Sequence, residues 1–336
     1  MKHKHSKTSK MPGQDLERQA IDLQESFTQA MRHHGEGRLP EAANIYQHIL
    51  QSYPSHPVAL HLLGVISHQV GKSEIAIDLI TRALANQPDY FKAHNNLGNV
   101  LRDLGKQEEA LASYQRALAI KPNYAEALSN LGNILKDLGR LDESVASYRQ
   151  AITLKPDYVD AHNNLGNALK ELGDLKGAIG CYRKALVIQP RFAEVHCNLG
   201  VALKNQGSLM ESIASYNNAL SLKPDYVEAL NNLGVALQAA ERLEEAVVNY
   251  RKGIAIQPLF ADLHSNLGNA LQSQGQLEAA VASYRKALEI NPDFPEASGS
   301  IGSILLALGD IEEGMILEKK GFGVIQFDIE KGVSYE

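Results

Sequence analysis

Asparagine recurs in this chain where a helix has little use for it. Asn96, Asn130, Asn164, Asn198, Asn232 and Asn266 stand 34 residues apart, each one place before a Leu-Gly pair. Three residues further on come Asn99, Asn133, Asn167 and Asn269, with Val201 and Val235 interrupting, while Asn95, Asn163 and Asn231 precede the first series in alternate repeats. Inside a helix each asparagine is about 0.6 kcal/mol worse than alanine. A primary amide offers both a donor and an acceptor, the complement of a peptide unit. Positions three apart share a helix face, so the two series stack into a polar ladder. Two roles fit. The amides could bond between neighbouring helices and set the pitch of a stack, or they could clamp an extended polypeptide without regard to its sequence. A basic column, Arg102, Lys136, Lys170 and Lys204, runs near the end of the same segments, and an acidic one, Glu126, Asp160, Glu194, Glu228 and Asp262, near their start. Both placements complement a helix dipole. The basic column would also select acidic side chains on a ligand.

Enzyme chemistry finds no foothold. The chain contains no P-loop, no Gly-x-Gly-x-x-Gly after a strand, no Gly-x-Ser-x-Gly and no HExxH. The twelve histidines scatter without companion carboxylates at metal spacing. His94, His162, His196 and His264 recur in one large-residue slot and read as core packing. Cys181 and Cys197 lack zinc spacing and fit a reducing compartment, so a cytoplasmic location is expected. No catalytic residue, metal or cofactor is expected.

The elements that position the ladder follow from the same period. Proline stands at 34-residue steps from Pro54 to Pro292, and glycine from Gly64 to Gly302. A second glycine series runs Gly71, Gly105, Gly139, Gly173, Gly207, misses at Glu241, and resumes at Gly275 and Gly309. Between a proline and the second glycine, apolar residues such as Leu97 and Leu101 recur at helical spacing, giving helix A. The second glycine ends it in a left-handed cap. Helix B follows, with Ala110, Tyr114 and Ala117 on one face, until the next proline stops it. Gly98, retained mid-helix, reads as a site of close approach to Ala110 and Ala117. Glu241 predicts a locally altered turn.

The pattern resembles the tetratricopeptide repeat, whose period is 34 residues. The resemblance implies an all-α fold: a right-handed α-solenoid of about eight to nine helix pairs over residues 15–321, with helix A lining the concave surface. The ninth repeat, 295–321, reads as incomplete, carrying Gly314 and Glu318 where others have Ala and Tyr. Residues 1–14 read as a disordered basic leader. The tail from 322 to 336 alternates like a strand around a turn at Glu330–Gly332, and either folds as a hairpin over the last pair or begins a further domain. The string NNLGN at Asn95–Asn99 and Asn163–Asn167 is similar to the repeat half of O-linked N-acetylglucosamine transferases and SPINDLY proteins. That likeness implies that the asparagines from Asn96 to Asn266 hold substrate polypeptides.

Charge narrows the partners. Net charge is −6, but Lys2, Lys4, Lys7 and Lys10 lie in the first ten residues, leaving 29 basic against 39 acidic residues elsewhere. A body that acidic is unsuited to phosphate backbones, and no stretch reaches the ~18 apolar residues of a membrane span. The partners expected are proteins or peptides in extended conformation, with weak self-association through an exposed end, and neither nucleic acid nor membrane. The function expected is a protein-binding scaffold. The alternative is the substrate-recruiting part of a protein O-glycosyltransferase system whose catalytic domain is absent from this chain.

Overall fold

The left-handed glycine turn generates the architecture. At Gly71, Gly105, Gly139, Gly173, Gly207, Gly275 and Gly309, φ lies between 73° and 90°. There the chain closes a repeated cap: Lys106 N–H reaches Leu101 C=O at 2.9 Å and Gly105 N–H reaches Arg102 C=O at 2.9 Å. Those bonds satisfy the last carbonyls of helix A and reverse the chain into helix B. The computed structural model describes residues 12–322, 325–328 and 332–335, with side chains from 22 to 322.

The described residues form two units that divide at Pro156. The first contains four helix pairs: α1 (Pro12–Gly35) with α2 (Leu39–Ser52), α3 (Pro57–Gln69) with α4 (Ser73–Asn86), α5 (Phe91–Asp103) with α6 (Gln107–Ile120), and α7 (Ala125–Asp137) with α8 (Leu141–Leu154). The second contains five: α9 (Val159–Glu171) with α10 (Leu175–Ile188), α11 (Ala193–Asn205) with α12 (Leu209–Leu222), α13 (Val227–Ala239) with α14 (Leu243–Ile256), α15 (Ala261–Ser273) with α16 (Leu277–Ile290), and α17 (Pro295–Leu308) with α18 (Ile311–Phe322). Two short strands follow, β1 (Ile325–Asp328) and β2 (Gly332–Tyr335), paired antiparallel with Ile325 opposite Tyr335. This is an α-solenoid of helix pairs. Within each unit successive A helices touch, as α3 does α5 and α13 does α15, so the A helices lie on the inner side of each unit. The expected leader falls on residues 1–11, which lie outside the described residues, and on the start of α1. Most of the expected turn at Glu330–Gly332 also lies outside them.

One expectation is extended and two are corrected. The mid-helix glycine accommodates the small residue of helix B, whose side chain reaches its carbonyl where it is serine (Ser144 Oγ to Gly132 C=O, 2.7 Å), and a ring besides. A Cβ at Gly98 would come within 2.6 Å of Tyr114 Cε1, and the same holds for Gly132 with Tyr148, Gly166 with Tyr182, Gly200 with Tyr216 and Gly268 with Tyr284 at 2.5–2.7 Å. Each tyrosine is fully buried against the bare backbone of its partner helix. Second, Glu241 does not alter its turn. It takes φ 60° and the cap bonds persist, Arg242 N–H to Leu237 C=O at 2.9 Å, because the surrounding helix pair enforces the conformation. A non-glycine residue held there costs about 1–2 kcal/mol. Third, the ninth repeat is a complete pair. With Gly314 and Glu318 replacing the bulkier pattern, the helices close up until a Cβ at Gly302 would meet Glu318 N at 2.4 Å.

Candidate functional site

The ladder residues are held by two sets of hydrogen bonds that cross between helices. In the first series Asn96, Asn130, Asn198 and Asn266 each donate from Nδ2 to the residue 35 places earlier, on the preceding A helix. Asn130 reaches Asn95 Oδ1 at 3.0 Å, Asn198 reaches Asn163 Oδ1 at 3.0 Å, and Asn266 reaches Asn231 Oδ1 at 2.9 Å. Asn96 meets His61 Nε2 at 2.8 Å. The alternate asparagines at Asn95, Asn163 and Asn231 are therefore acceptors for the next repeat. The first-series side chains stay half-buried on the A-helix face. The Oδ1 atoms of Asn130, Asn198 and Asn266 accept no hydrogen bond from protein among the described residues.

The second series is committed within its own repeat. Asn99, Asn133, Asn167 and Asn269 accept from the hydroxyls of Tyr114, Tyr148, Tyr182 and Tyr284 at 2.6–2.8 Å. Burial pushes the Tyr114 phenol up to about 12, so it remains a neutral donor. The two valine interruptions test this pairing. Tyr216, whose partner position is Val201, has a buried hydroxyl with no hydrogen bond, and so has Tyr46, whose partner position is Met31. Tyr250, facing Val235, turns instead to Gln238 Oε1.

The basic column sits in the last turn of α5, α7, α9 and α11, and the acids Glu126, Asp160, Glu194, Glu228 and Asp262 in first turns, where the dipole favours each sign. In the first unit the cations face carboxylates of their own helix: Arg102 reaches Asp103 at 3.2 Å and Lys136 reaches Asp137 at 3.6 Å. Lys170 and Lys204 are half-exposed in the second unit. The structure brings Asn96, Asn99, Arg102 and Asn130 together around one open pocket of about 310 Å³, completed by Gln69 and Asp103. On the B-helix side a groove of about 660 Å³, lined mostly by apolar residues including Leu84, Leu97 and Ile120, escaped sequence reasoning, because those leucines read as ordinary core positions.

The recurring histidines do more than fill space. His94, His196 and His264 each bring Nε2 to the carbonyl of Pro88, Pro190 or Pro258 at 2.9–3.0 Å, tying helix A to the loop before it. His61 lies between Asn96 and Tyr90, with Nδ1 3.0 Å from the Tyr90 hydroxyl. Since the Asn96 amide nitrogen donates to Nε2, the proton of neutral His61 resides on Nδ1. Burial, with the charge of Lys92 as a lesser cause, pushes this imidazole down to about 4. Burial likewise raises the Cys197 thiol to about 11, the behaviour of an inert core cysteine. Among the described residues no group of three or more His, Cys, Asp or Glu side chains could hold a metal ion, and no helix is long and apolar enough to cross a membrane.

Comparison with known families decides the kinship. A family profile described as TPR repeat matches residues 98–139, 132–173, 166–207, 202–240 and 239–275, and two described as Tetratricopeptide repeat match 261–294 and 79–112. The chain belongs to the tetratricopeptide repeat family. A chain in the crystal structure of the APC/C hetero-tetramer Cut9–Hcn1 shares the fold, with a TM-score of 0.60 and 18% identity, over 80% of this chain and 52% of that one. Two shorter structures also match. MamA does so with a TM-score of 0.46 and 25% identity over 48% of this chain and 95% of its own. YrrB, described as a TPR protein with an unusual peptide-binding site, gives 0.48 and 24% over 58% and 97%. A comparison with curated proteins found no match.

Two predictions follow from these bonds. Asn99→Val leaves the buried Tyr114 hydroxyl without its acceptor and costs about 1–3 kcal/mol, whereas adding Tyr114→Phe recovers most of that loss; urea unfolding of the double-mutant cycle measures it. The second concerns pH. With its folded value below the unfolded 6.5, His61 is protonated first in the unfolded chain. Stability is therefore full above about pH 6.5 and falls as pH drops toward 4, by about 3 kcal/mol from this residue. Urea midpoints between pH 7 and 4 should show that decline, and His61→Asn should flatten it.

Proposed function

We propose that this chain is a non-catalytic scaffold that holds extended segments of other proteins along its A-helix face. The observation that carries the reading is the pre-oriented amide ladder. Asn130, Asn198 and Asn266 are each fixed by a bond to the neighbouring helix and keep Oδ1 available. An acceptor already fixed in place loses little freedom when a ligand arrives.

The spacing favours one ligand conformation. Neighbouring packed helices stand about 8–10 Å apart. A polyproline II segment presents the same face every three residues, about 9.3 Å. The acceptors left open stand in alternate repeats, as Asn198 and Asn266 do, so one backbone N–H in six would meet them, which makes recognition independent of sequence. Magnitudes keep it weak. A net hydrogen bond contributes about 0.5–1.5 kcal/mol, and ordering each ligand residue costs about 1–2. The ladder alone roughly breaks even, so affinity rests on the pocket beside Arg102, on Lys170 and Lys204 as partners for acidic side chains, and on several sites acting together.

The likeness of the NNLGN strings to the O-glycosyltransferase and SPINDLY repeats favours a second reading, in which the captured segment is handed to a separate transferase. It would show as faster glycosylation of a captured peptide by such an enzyme when this chain is added.

A variant with alanine at Asn96, Asn130, Asn198 and Asn266, compared with the native chain on an array of diverse extended peptides, tests the clamp. If it retains native helicity and melting yet loses most binding across the array, the reading stands. If it stays folded and binds equally well, the asparagines serve only the stack.

A further inference from the structure

The two ends of the repeat array are finished differently. In interior repeats, one face of each A helix is buried against the preceding B helix, as Ala93 and Val100 are against Ala76 and Ile80 of α4. The first A helix carries charge at the matching positions, Glu25 and Arg32, both exposed. That is a polar cap of the kind that ends a solenoid.

The last B helix has no such finish. In the interior, the position of Met315 is held by Leu111, Val145, Ile179, Ile213, Val247 and Val281, all at most 9% exposed because the next A helix covers them. Met315 itself is 51% exposed, and Ile311 and Ile316 join it as exposed apolar residues on α18. The face is built to be covered by a helix.

We infer that a second copy of this chain covers it, with α18 packing antiparallel on its counterpart about a two-fold axis. Two observations select this occupant. The polar first helix is a poor complement, which disfavours a head-to-tail contact. The charges of α18 complement their own reversed image: Glu312 lies in the first turn and Lys319 in the last, both exposed. An antiparallel pair centred between Met315 and Ile316 sets Glu312 of each copy opposite Lys319 of the other. Such an isologous arrangement satisfies both pairs at once. Glu313 and Lys320 are already engaged, with Arg285 at 2.9 Å and the Pro292 carbonyl at 3.2 Å, and take no part. A single helix face is small, so the dimer is weak, with a Kd on the order of 100 μM. α18 carries none of the ladder residues, so peptide capture is unaffected by this contact.

Sedimentation velocity over a concentration series, with circular dichroism to confirm folding, is the test. The native chain should pass from monomer to dimer, and Met315→Glu should remain monomeric throughout. Glu312→Lys or Lys319→Glu alone should raise Kd about tenfold or more, since like charges then face each other. The double variant should return to within about threefold of the native value, as should an equimolar mixture of the two single variants. That rescue cannot arise from a merely structural effect, and it decides the matter should Met315→Glu fail to fold. A native chain that stays monomeric at about 1 mM, a folded Met315→Glu that associates like the native chain, or a double variant without recovery would overturn the proposal.

Discussion

The rest of the structure depends on the contact between a bare helix-A backbone and a helix-B tyrosine ring. At Gly98 even a methyl group would overlap Tyr114, so the glycine sets the distance between the two helices. The ring is fully buried, and its hydroxyl must then find an acceptor from within the protein. Asn99, the residue after that glycine, supplies it at 2.8 Å. Glycine, tyrosine and asparagine thus form one unit of packing and polar satisfaction, repeated along each unit of the solenoid. Where the tyrosine is lost, at Glu318, the helices draw closer and Ser303 bonds the carboxylate instead.

The same economy shapes the candidate site. One asparagine series is consumed by tyrosines, and in the other Asn130, Asn198 and Asn266 bridge successive A helices through a single amide hydrogen that leaves the oxygen unbonded. On the reading proposed above, the bonds that hold the stack together also orient the acceptors that a ligand would meet, and structure and recognition are then not alternatives for these residues. An amide has enough donors and acceptors to serve both.

The period, the helix pairs and the glycine caps were legible in the sequence because each follows from local chemistry repeated at fixed spacing. The partnerships of the amides were not. A 35-residue offset between Asn130 and Asn95 and a 15-residue offset between Tyr114 and Asn99 depend on how helices are rotated about their axes, which periodicity does not reveal. The same limit explains Glu241, whose identity argued for a different turn although neighbouring cap bonds retain the left-handed one. It explains His94 and His264 as well. Their burial was readable, but their bonds to Pro88 and Pro258 carbonyls were not. The placement of Asn96, Asn99, Arg102 and Asn130 around one pocket required three-dimensional structure.

The central claim is that the two asparagine series, alike in composition, divide the work between ligand and fold. Side-chain amide resonances, assigned by NMR and followed through a titration with an extended, proline-rich acidic peptide, test this most directly. The account predicts saturable shifts at Asn130, Asn198 and Asn266, with Asn133 and Asn167 nearly unmoved because tyrosine hydroxyls occupy them. Shifts confined to residues away from the ladder, or equal in both series, would contradict it.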